Sequence, residues 1–181
     1  MLPKASPPPG LRQRNTMATL QDILSARDQR AASQRLLLER HRQPVLSMTV
    51  VMPGPVKRNV TSLFIAQVGS ALIEESFKAS ESIVNDKETG FEALYAIPLP
   101  PEELKRMAVA IEDSHPLGRL LDLDVIAPDG TPLSREALGL PPRRCLVCGD
   151  HAHACVRSRR HTITEVLAVI ERMVADYQHN Q

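Results

Sequence analysis

The sequence contains the run Leu121-Asp122-Leu123-Asp124-Val125, in which apolar and acidic residues alternate strictly. A period of two is typical of a β-strand that has one face in the core and the other toward solvent. The turn signal Pro128-Asp129-Gly130 follows this run and would end the strand. We therefore predict a half-buried strand whose two carboxylates lie on the same outer face.

Helical and strand patterns alternate along the rest of the chain. Apolar residues at helical spacing predict helices over residues 20–42, 60–77, 101–115 and 162–177. Runs rich in β-branched and apolar residues predict strands over residues 45–52, 80–85 and 91–97, of which the last two form a hairpin. The predicted fold class is therefore α/β or α+β, as a single domain with one mixed sheet of about four strands flanked by helices.

Length and composition limit the class of protein. The chain has 181 residues, of which 43% are hydrophobic and 24% charged, as expected for one globular domain. Residues 1–18 are proline-rich and lack apolar periodicity, so we expect a disordered N-terminal extension before a domain at 19–178. Because no run of about 18 apolar residues and no apolar signal core is present, we expect no membrane span, no secretory leader and a cytoplasmic location.

Charge and aromatic content argue against nucleic-acid binding. The formal net charge is +1, and only 3% of residues are aromatic, with no Trp. The charge is nevertheless uneven, because residues 137–161 carry five positive charges and one negative charge, whereas acidic residues predominate over 43–136. Charge runs are usually solvated faces, so this distribution does not by itself identify a ligand.

The acidic pair in the central strand is the sharpest candidate site. Two carboxylates on one face suit Mg²⁺, which binds one or two carboxylates together with substrate phosphates, and such sites serve phosphoryl transfer. The alternative is a solvated strand face without a ligand. Several basic residues flank the pair in sequence and are candidate phosphate ligands: Lys57, Arg119, Arg135, Arg143 and Arg144.

A cysteine-rich segment offers a second candidate site. Cys145, Cys148 and Cys155, with His161, have spacings that a zinc site could use. The alternative is a set of small buried thiols in a reducing cytosol. His161 also precedes a predicted helix N-terminus, where it could contact a substrate phosphate.

Several blocks of the sequence, taken in order, resemble one known family. They are Pro53-Gly54-Pro55-Val56-Lys57, His115-Pro116-Leu117-Gly118-Arg119, the acidic strand, Ser134-Arg135, Pro141-Pro142-Arg143-Arg144-Cys145-Leu146-Val147-Cys148 and Cys155-Val156-Arg157. In this order they resemble the citrate lyase holo-acyl-carrier-protein synthases, also called apo-citrate lyase phosphoribosyl-dephospho-coenzyme A transferases. The resemblance extends from about residue 20 to residue 177.

The resemblance implies a nucleotidyltransferase with two partners, triphosphoribosyl-dephospho-coenzyme A and the apo acyl carrier protein (γ subunit) of citrate lyase. Such an enzyme moves the phosphoribosyl-dephospho-coenzyme A group onto a serine of the carrier and releases pyrophosphate. As a hypothesis, Asp122 and Asp124 hold Mg²⁺ and act in catalysis with Arg119. The expected substrate-binding residues are Lys57, Arg135, Arg143, Arg144 and His161.

Two other functions remain open on the sequence alone. One is a related nucleotidyltransferase that acts on another carrier, such as that of malonate decarboxylase. Enzymes of that kind keep a Gly-Ser pair close before their acidic residues, whereas the nearest one here is Gly69-Ser70. The other is a non-catalytic adaptor that binds zinc through its cysteines.

Overall fold

The structure is a computed structural model that describes residues 18–180. Apart from Ala18, the predicted N-terminal extension lies outside these residues. The helices are α1 (Leu20–His41), α2 (Val60–Ser76), α3 (Pro101–Ser114), α4 (Ala152–Arg157) and α5 (Ile163–His179). The strands are β1 (Val45–Val50), β2 (Glu81–Lys87), β3 (Gly90–Ala96), β4 (Leu121–Ile126) and β5 (Pro132–Leu133).

The strands form one sheet in the order β2-β3-β1-β4-β5. This confirms the fold class, and the expected number of about four strands is close to the observed five. The pairing is antiparallel throughout, not mixed as predicted. Hydrophobic periodicity reports which face of a strand is buried but not the direction of its neighbours, so the sequence pattern could not supply this detail.

The two faces of the sheet are covered differently. On one face, Leu46, Met48 and Leu123 belong to the main core, which also contains side chains of α2, α3 and α5. On the other face, Leu37 and Leu38 of α1 pack in a smaller cluster with Val45, Leu94 and Ile126. Helix α1 contacts β1 and β3, and β4 lies next to β1 on the side away from β3.

The acidic residues of β4 lie on the face that α1 shares. Asp122 pairs with Thr49 and Asp124 with Ser47, and residues directly opposite one another in a sheet share a face. Leu121, Leu123 and Val125, which alternate with the two acidic residues along β4, are buried. The prediction that both carboxylates share one outer face is therefore confirmed.

The helix boundaries follow the local signals in the sequence. Asn59 caps α2 by accepting a hydrogen bond from Ser62 N at 2.8 Å, and Pro101 occupies the first turn of α3. Thr162 and Glu165 form the predicted capping box of α5. Within residues 18–180, no helix has both the length and the apolar character needed to span a bilayer.

Two buried side chains of α3 satisfy the outer edge of β4. Leu123 N donates to Glu112 Oε1 at 2.8 Å, and Lys105 Nζ donates to Leu123 O at 2.9 Å. Strand β5 pairs only with Val125 and Ile126, so these side chains replace the missing ladder at Leu123. The bonds fix α3 against β4.

Gly118 allows the chain to return from α3 into β4. A Cβ atom at this position would lie 2.2 Å from the Ile111 carbonyl oxygen and 2.8 Å from that of Glu112. Both neighbours are helix backbone and cannot move aside locally. The glycine is therefore required by the close approach of two backbone segments.

We predict that Gly118→Ala destabilises the protein by about 1–3 kcal/mol or more, because the added methyl group overpacks a fixed backbone contact. The measurement is the free energy of unfolding in urea. Gly139→Ala is a control in which nothing lies within 4 Å of the new Cβ, and only the left-handed backbone (φ +65°) opposes the substitution. A Gly118→Ala protein as stable as wild type would contradict the steric argument.

Candidate active site

A cavity of about 910 Å³ lies at the end of the sheet where β1 ends and β4 begins. Val51, Met52 and Pro53 form one side, and residues of the segment 143–163 form the other. The volume falls within the range of small-molecule and cofactor sites. The cavity is therefore the candidate active site, and we refer to it as the main pocket.

The polar end of the main pocket combines one carboxylate with arginines. Asp122, Arg119, Arg143 and Arg144 all line it. Arg143 Nη1 donates to Asp122 Oδ1 at 2.6 Å, and its Nη2 donates to the carbonyl oxygens of Arg119, at 3.1 Å, and Leu121. Arg143 therefore does not use the second carboxylate oxygen of Asp122.

Arg119 is a cation with an incomplete set of partners. Its Nη2 donates to the carbonyl oxygen of Arg144, but its buried Nε has no hydrogen-bond partner within residues 18–180. Burial, followed by repulsion from Arg143, lowers the pKa of its guanidinium group below the usual value. Because Arg119 lines the pocket with a positive charge, this corner of the pocket is suited to an anionic ligand.

Asp124 differs from Asp122 in its surroundings. Its side chain is 69% exposed, and Lys105 Nζ lies 4.0 Å from its Oδ1. Although much of the side chain is exposed, the protein packed around the carboxyl group reduces its solvation and raises its pKa, and the negative charge of Asp122 adds to this effect. The two carboxylates thus offer hard oxygen ligands on one face, which fits Mg²⁺.

Two of the predicted phosphate ligands lie outside the main pocket. Lys57 Nζ donates to Met52 O at 2.6 Å and lines a separate cavity of about 180 Å³, where burial lowers its pKa. Arg135 forms ion pairs with Glu112 and, at 3.0 Å, with Asp113. Neither residue lines the main pocket, although Arg135 is close enough to Arg119 for the two positive charges to repel each other.

Glu112 connects the sheet to the arginines. Besides Leu123 N, it accepts a hydrogen bond from Arg135 Nη2, and its Oε1 lies 3.9 Å from Arg143 Nη1. Its side chain is only 3% exposed. One buried carboxylate therefore holds the β4 edge and Arg135, and attracts the guanidinium group that binds Asp122.

The cysteine-rich segment forms a compact donor cluster that could bind a metal ion such as zinc. One donor atom from each of Cys145, Cys148, Cys155 and His161 lies within 4.8 Å of all the others. Burial opposes ionisation of Cys145, but backbone N–H groups of Cys148 and Val147 outweigh it and lower its pKa. His161, predicted as a phosphate or zinc ligand, places Nε2 3.3 Å from Cys148 Sγ.

One cation and the apolar walls of the main pocket are not among the residues predicted from the sequence. Arg159 lines the pocket from a left-handed backbone conformation with φ 49°. The basic run that contains it, just before the α5 capping box, was a signal that could have identified it. The apolar walls consist of residues 51–53 with Leu146, Val147, Val156, Ile163 and Val166.

An acidic strand that meets arginines in an apolar-walled pocket is typical of an enzyme that transfers groups from a phosphorylated substrate. Comparison with protein families identifies one that matches residues 18–177, described as apo-citrate lyase phosphoribosyl-dephospho-CoA transferase. The chain belongs to this family. The resemblance inferred from the sequence blocks is therefore confirmed.

Individual relatives agree with the family assignment. Proteins from Escherichia coli O9:H4 (strain HS) and Shigella boydii serotype 18 (strain CDC 3083-94 / BS512) are each 36% identical over 163 residues. Each match covers 87% of this chain and 89% of the relative. Both relatives are named apo-citrate lyase phosphoribosyl-dephospho-CoA transferase. A family of transferases does not support a non-catalytic adaptor.

We predict that Glu112→Gln lowers the free energy of unfolding by about 3 kcal/mol, because it removes the buried one of the two acidic partners of Arg135 and leaves this largely buried guanidinium group with the exposed one. The measurement is urea unfolding at neutral pH. Asp113→Asn is the matched control, because Asp113 pairs with the same arginine but is 44% exposed, and we expect a loss below about 1 kcal/mol. Equal losses in the two variants would contradict the anchoring role of Glu112.

We predict that Asp124→Asn is more stable than wild type at neutral pH. The folded state raises the pKa of Asp124, so wild type loses stability as the pH rises through that pKa. Below about pH 3 the Asp124 carboxyl group is protonated in both the folded and the unfolded state. The difference in unfolding free energy between wild type and Asp124→Asn should then vanish. The measurement is the unfolding free energy of both proteins across this pH range.

Asp129→Asn provides a control of opposite sign for the Asp124 experiment. The backbone N–H of Thr131 donates to Asp129 at 2.8 Å and lowers its pKa, so this substitution should destabilise the protein at neutral pH and lose its effect in acid. A wild-type protein more stable than Asp124→Asn at neutral pH would refute the pKa direction.

Proposed function

We propose that this protein transfers the phosphoribosyl-dephospho-coenzyme A group from triphosphoribosyl-dephospho-coenzyme A to a serine of the citrate lyase acyl carrier protein, releasing pyrophosphate. Family membership supports the class of reaction. The observation that carries the proposal is the meeting of Asp122 with Arg119, Arg143 and Arg144 in one cavity of about 910 Å³. The apo carrier subunit and the triphosphate precursor are the partners this reaction requires.

The two ends of the main pocket suit the two ends of the precursor. Its triphosphate carries several negative charges, which the positive charges of Arg119, Arg143 and Arg144 attract. The coenzyme A portion is bulkier and less charged, and the apolar walls at Val147, Val156 and Ile163 are suited to it.

The proposed reaction includes a magnesium ion held by Asp122 and Asp124. Both are oxygen ligands on one face of β4, and the second oxygen of Asp122 is not used by Arg143. When bound, Mg²⁺ supplies positive charge that stabilises the leaving pyrophosphate. The raised pKa of Asp124 is consistent with a carboxylate that needs a cation beside it.

The chemical step is an in-line displacement at phosphorus. The serine oxygen of the carrier forms a bond to the phosphorus that bears the ribosyl group, and the bond from that phosphorus to pyrophosphate breaks. The proton of the serine hydroxyl passes to one of the two carboxylates, Asp122 or Asp124, which acts as general base. Arg119 and Arg143 stabilise the charge that develops on the departing oxygens.

A cytoplasmic location forms part of this proposal. The three cysteines are free, and free thiols persist in a reducing compartment. The remaining alternative, a transferase acting on a malonate decarboxylase carrier, shares the same chemistry and differs only in the carrier. The family description favours the citrate lyase carrier.

We predict that the purified protein, incubated with apo carrier, triphosphoribosyl-dephospho-coenzyme A and Mg²⁺, increases the mass of the carrier by one prosthetic group. Asp122→Asn and Asp124→Asn should each lower the rate by orders of magnitude, because each removes a ligand of the catalytic ion. The measurement is the intact mass of the carrier over time. Asp129→Asn, in the exposed turn after β4, is the matched control and should retain the wild-type rate.

The outcomes of this assay separate the parts of the proposal. No mass increase with wild type would refute the function. Full activity in both Asp122→Asn and Asp124→Asn would refute the metal site and leave the function standing. Supplying the citrate lyase and malonate decarboxylase carriers in competition identifies the carrier, and preferential labelling of the second would overturn the assignment to citrate lyase.

A further inference from the structure

The segment after β5 has almost no hydrophobic core of its own. Between Ile126 and Ile170, a stretch that the structure describes completely, Cys155 is the one buried residue. Within residues 134–161, Leu146 is the one further apolar side chain that packs against the main core. Helix α4 has only six residues. A segment of this kind needs a cross-link or a metal ion to hold one conformation.

The four donors of the cysteine cluster come from separate parts of this segment. Cys145 and Cys148 flank a tight turn, in which Cys145 N donates to Asp150 O at 2.6 Å and Gly149 N donates to Cys145 O at 3.1 Å. Gly149 permits this turn with φ +74°. Cys155 lies on α4, and His161 directly precedes the capping residue of α5. One ion bound to all four would therefore tie a turn and two helices together.

The distances within the cluster match tetrahedral coordination. Ligands around zinc in a tetrahedron lie about 3.8 Å apart for two sulfurs and about 3.6 Å apart for sulfur and nitrogen. Cys148 Sγ lies 3.5 Å from Cys155 Sγ and 3.3 Å from His161 Nε2, and all four donors lie within 4.8 Å of one another. Three thiolates and one imidazole favour zinc over the hard ions Mg²⁺ and Ca²⁺.

We propose that Cys145, Cys148, Cys155 and His161 bind one structural Zn²⁺ ion. Four protein ligands close the coordination sphere, so the ion has no open position for a substrate. His161 is then a metal ligand and not a phosphate ligand. Leu146, Val147 and Val156 lie between or beside the ligands in sequence and line the main pocket, so the ion also fixes the apolar wall of that pocket.

The test is the metal content of the full-length protein, purified under reducing conditions without a chelator. We expect about one zinc per chain by inductively coupled plasma mass spectrometry, and a loss of at least about five-fold in Cys148→Ser, because a tetrahedral site rarely survives without a ligand. His153→Ala is the matched control, since His153 is an exposed histidine near the cluster but outside it, and it should retain full zinc content.

A second measurement keeps the proposal testable if Cys148→Ser fails to fold. Zinc in the wild-type protein is removed with a chelator and replaced by Co²⁺, which should give the visible absorption bands and thiolate charge-transfer band of a tetrahedral site. Absence of zinc in wild type together with absence of these bands would overturn the proposal. So would equal zinc loss in His153→Ala, or a mass two hydrogens lower that shows a Cys148–Cys155 disulfide.

Both measurements are independent of the proposed transferase activity. Zinc content and cobalt spectra are recorded without carrier or triphosphate precursor. A protein that holds zinc but modifies no carrier would refute the proposed function alone. A protein that modifies the carrier without zinc would refute this metal site alone.

Discussion

The hydrogen bonds between α3 and the outer edge of β4 hold the active-site region together. Leu123 donates its N–H to Glu112 and accepts a hydrogen bond from Lys105 at its carbonyl oxygen. A buried carboxylate and a buried lysine therefore take the place of a neighbouring strand. A strand edge left unpaired in the interior would carry two unsatisfied backbone groups. The same two bonds determine where Asp122 and Asp124, on either side of Leu123, stand relative to α3.

The geometry of the main pocket follows from this attachment. Glu112 also binds Arg135 and attracts Arg143, and Arg143 in turn holds Asp122 and the carbonyl oxygens of the chain entering β4. Charges that would be unfavourable alone in a partly buried position therefore neutralise one another. Arg119 lies beside this network in the pocket wall, where its positive charge makes the pocket suited to an incoming anion.

Local signals predicted most of the fold. The alternation at residues 121–125, the cap at Asn59 and the capping box at Thr162 each depend on a few neighbouring residues, and the structure confirms them. Contacts between distant segments could not be predicted from the sequence. Three features depend on how distant elements pack, which residue spacing does not encode. They are the antiparallel direction of the sheet, the pairing of Arg135 with Glu112 and the position of Lys57 in a second cavity.

Strand β1 comes first among the strands in the chain but occupies the middle of the sheet. Its partners β3 and β4 begin at Gly90 and Leu121. Each pairing therefore closes a long loop of intervening chain. The β2–β3 hairpin, in contrast, closes over a two-residue turn. Contacts between distant segments slow folding, because the chain loses the conformational entropy of loop closure before these contacts can stabilise it. During synthesis, β1 therefore emerges well before either of its partner strands, and the centre of the sheet depends on pairings between distant segments.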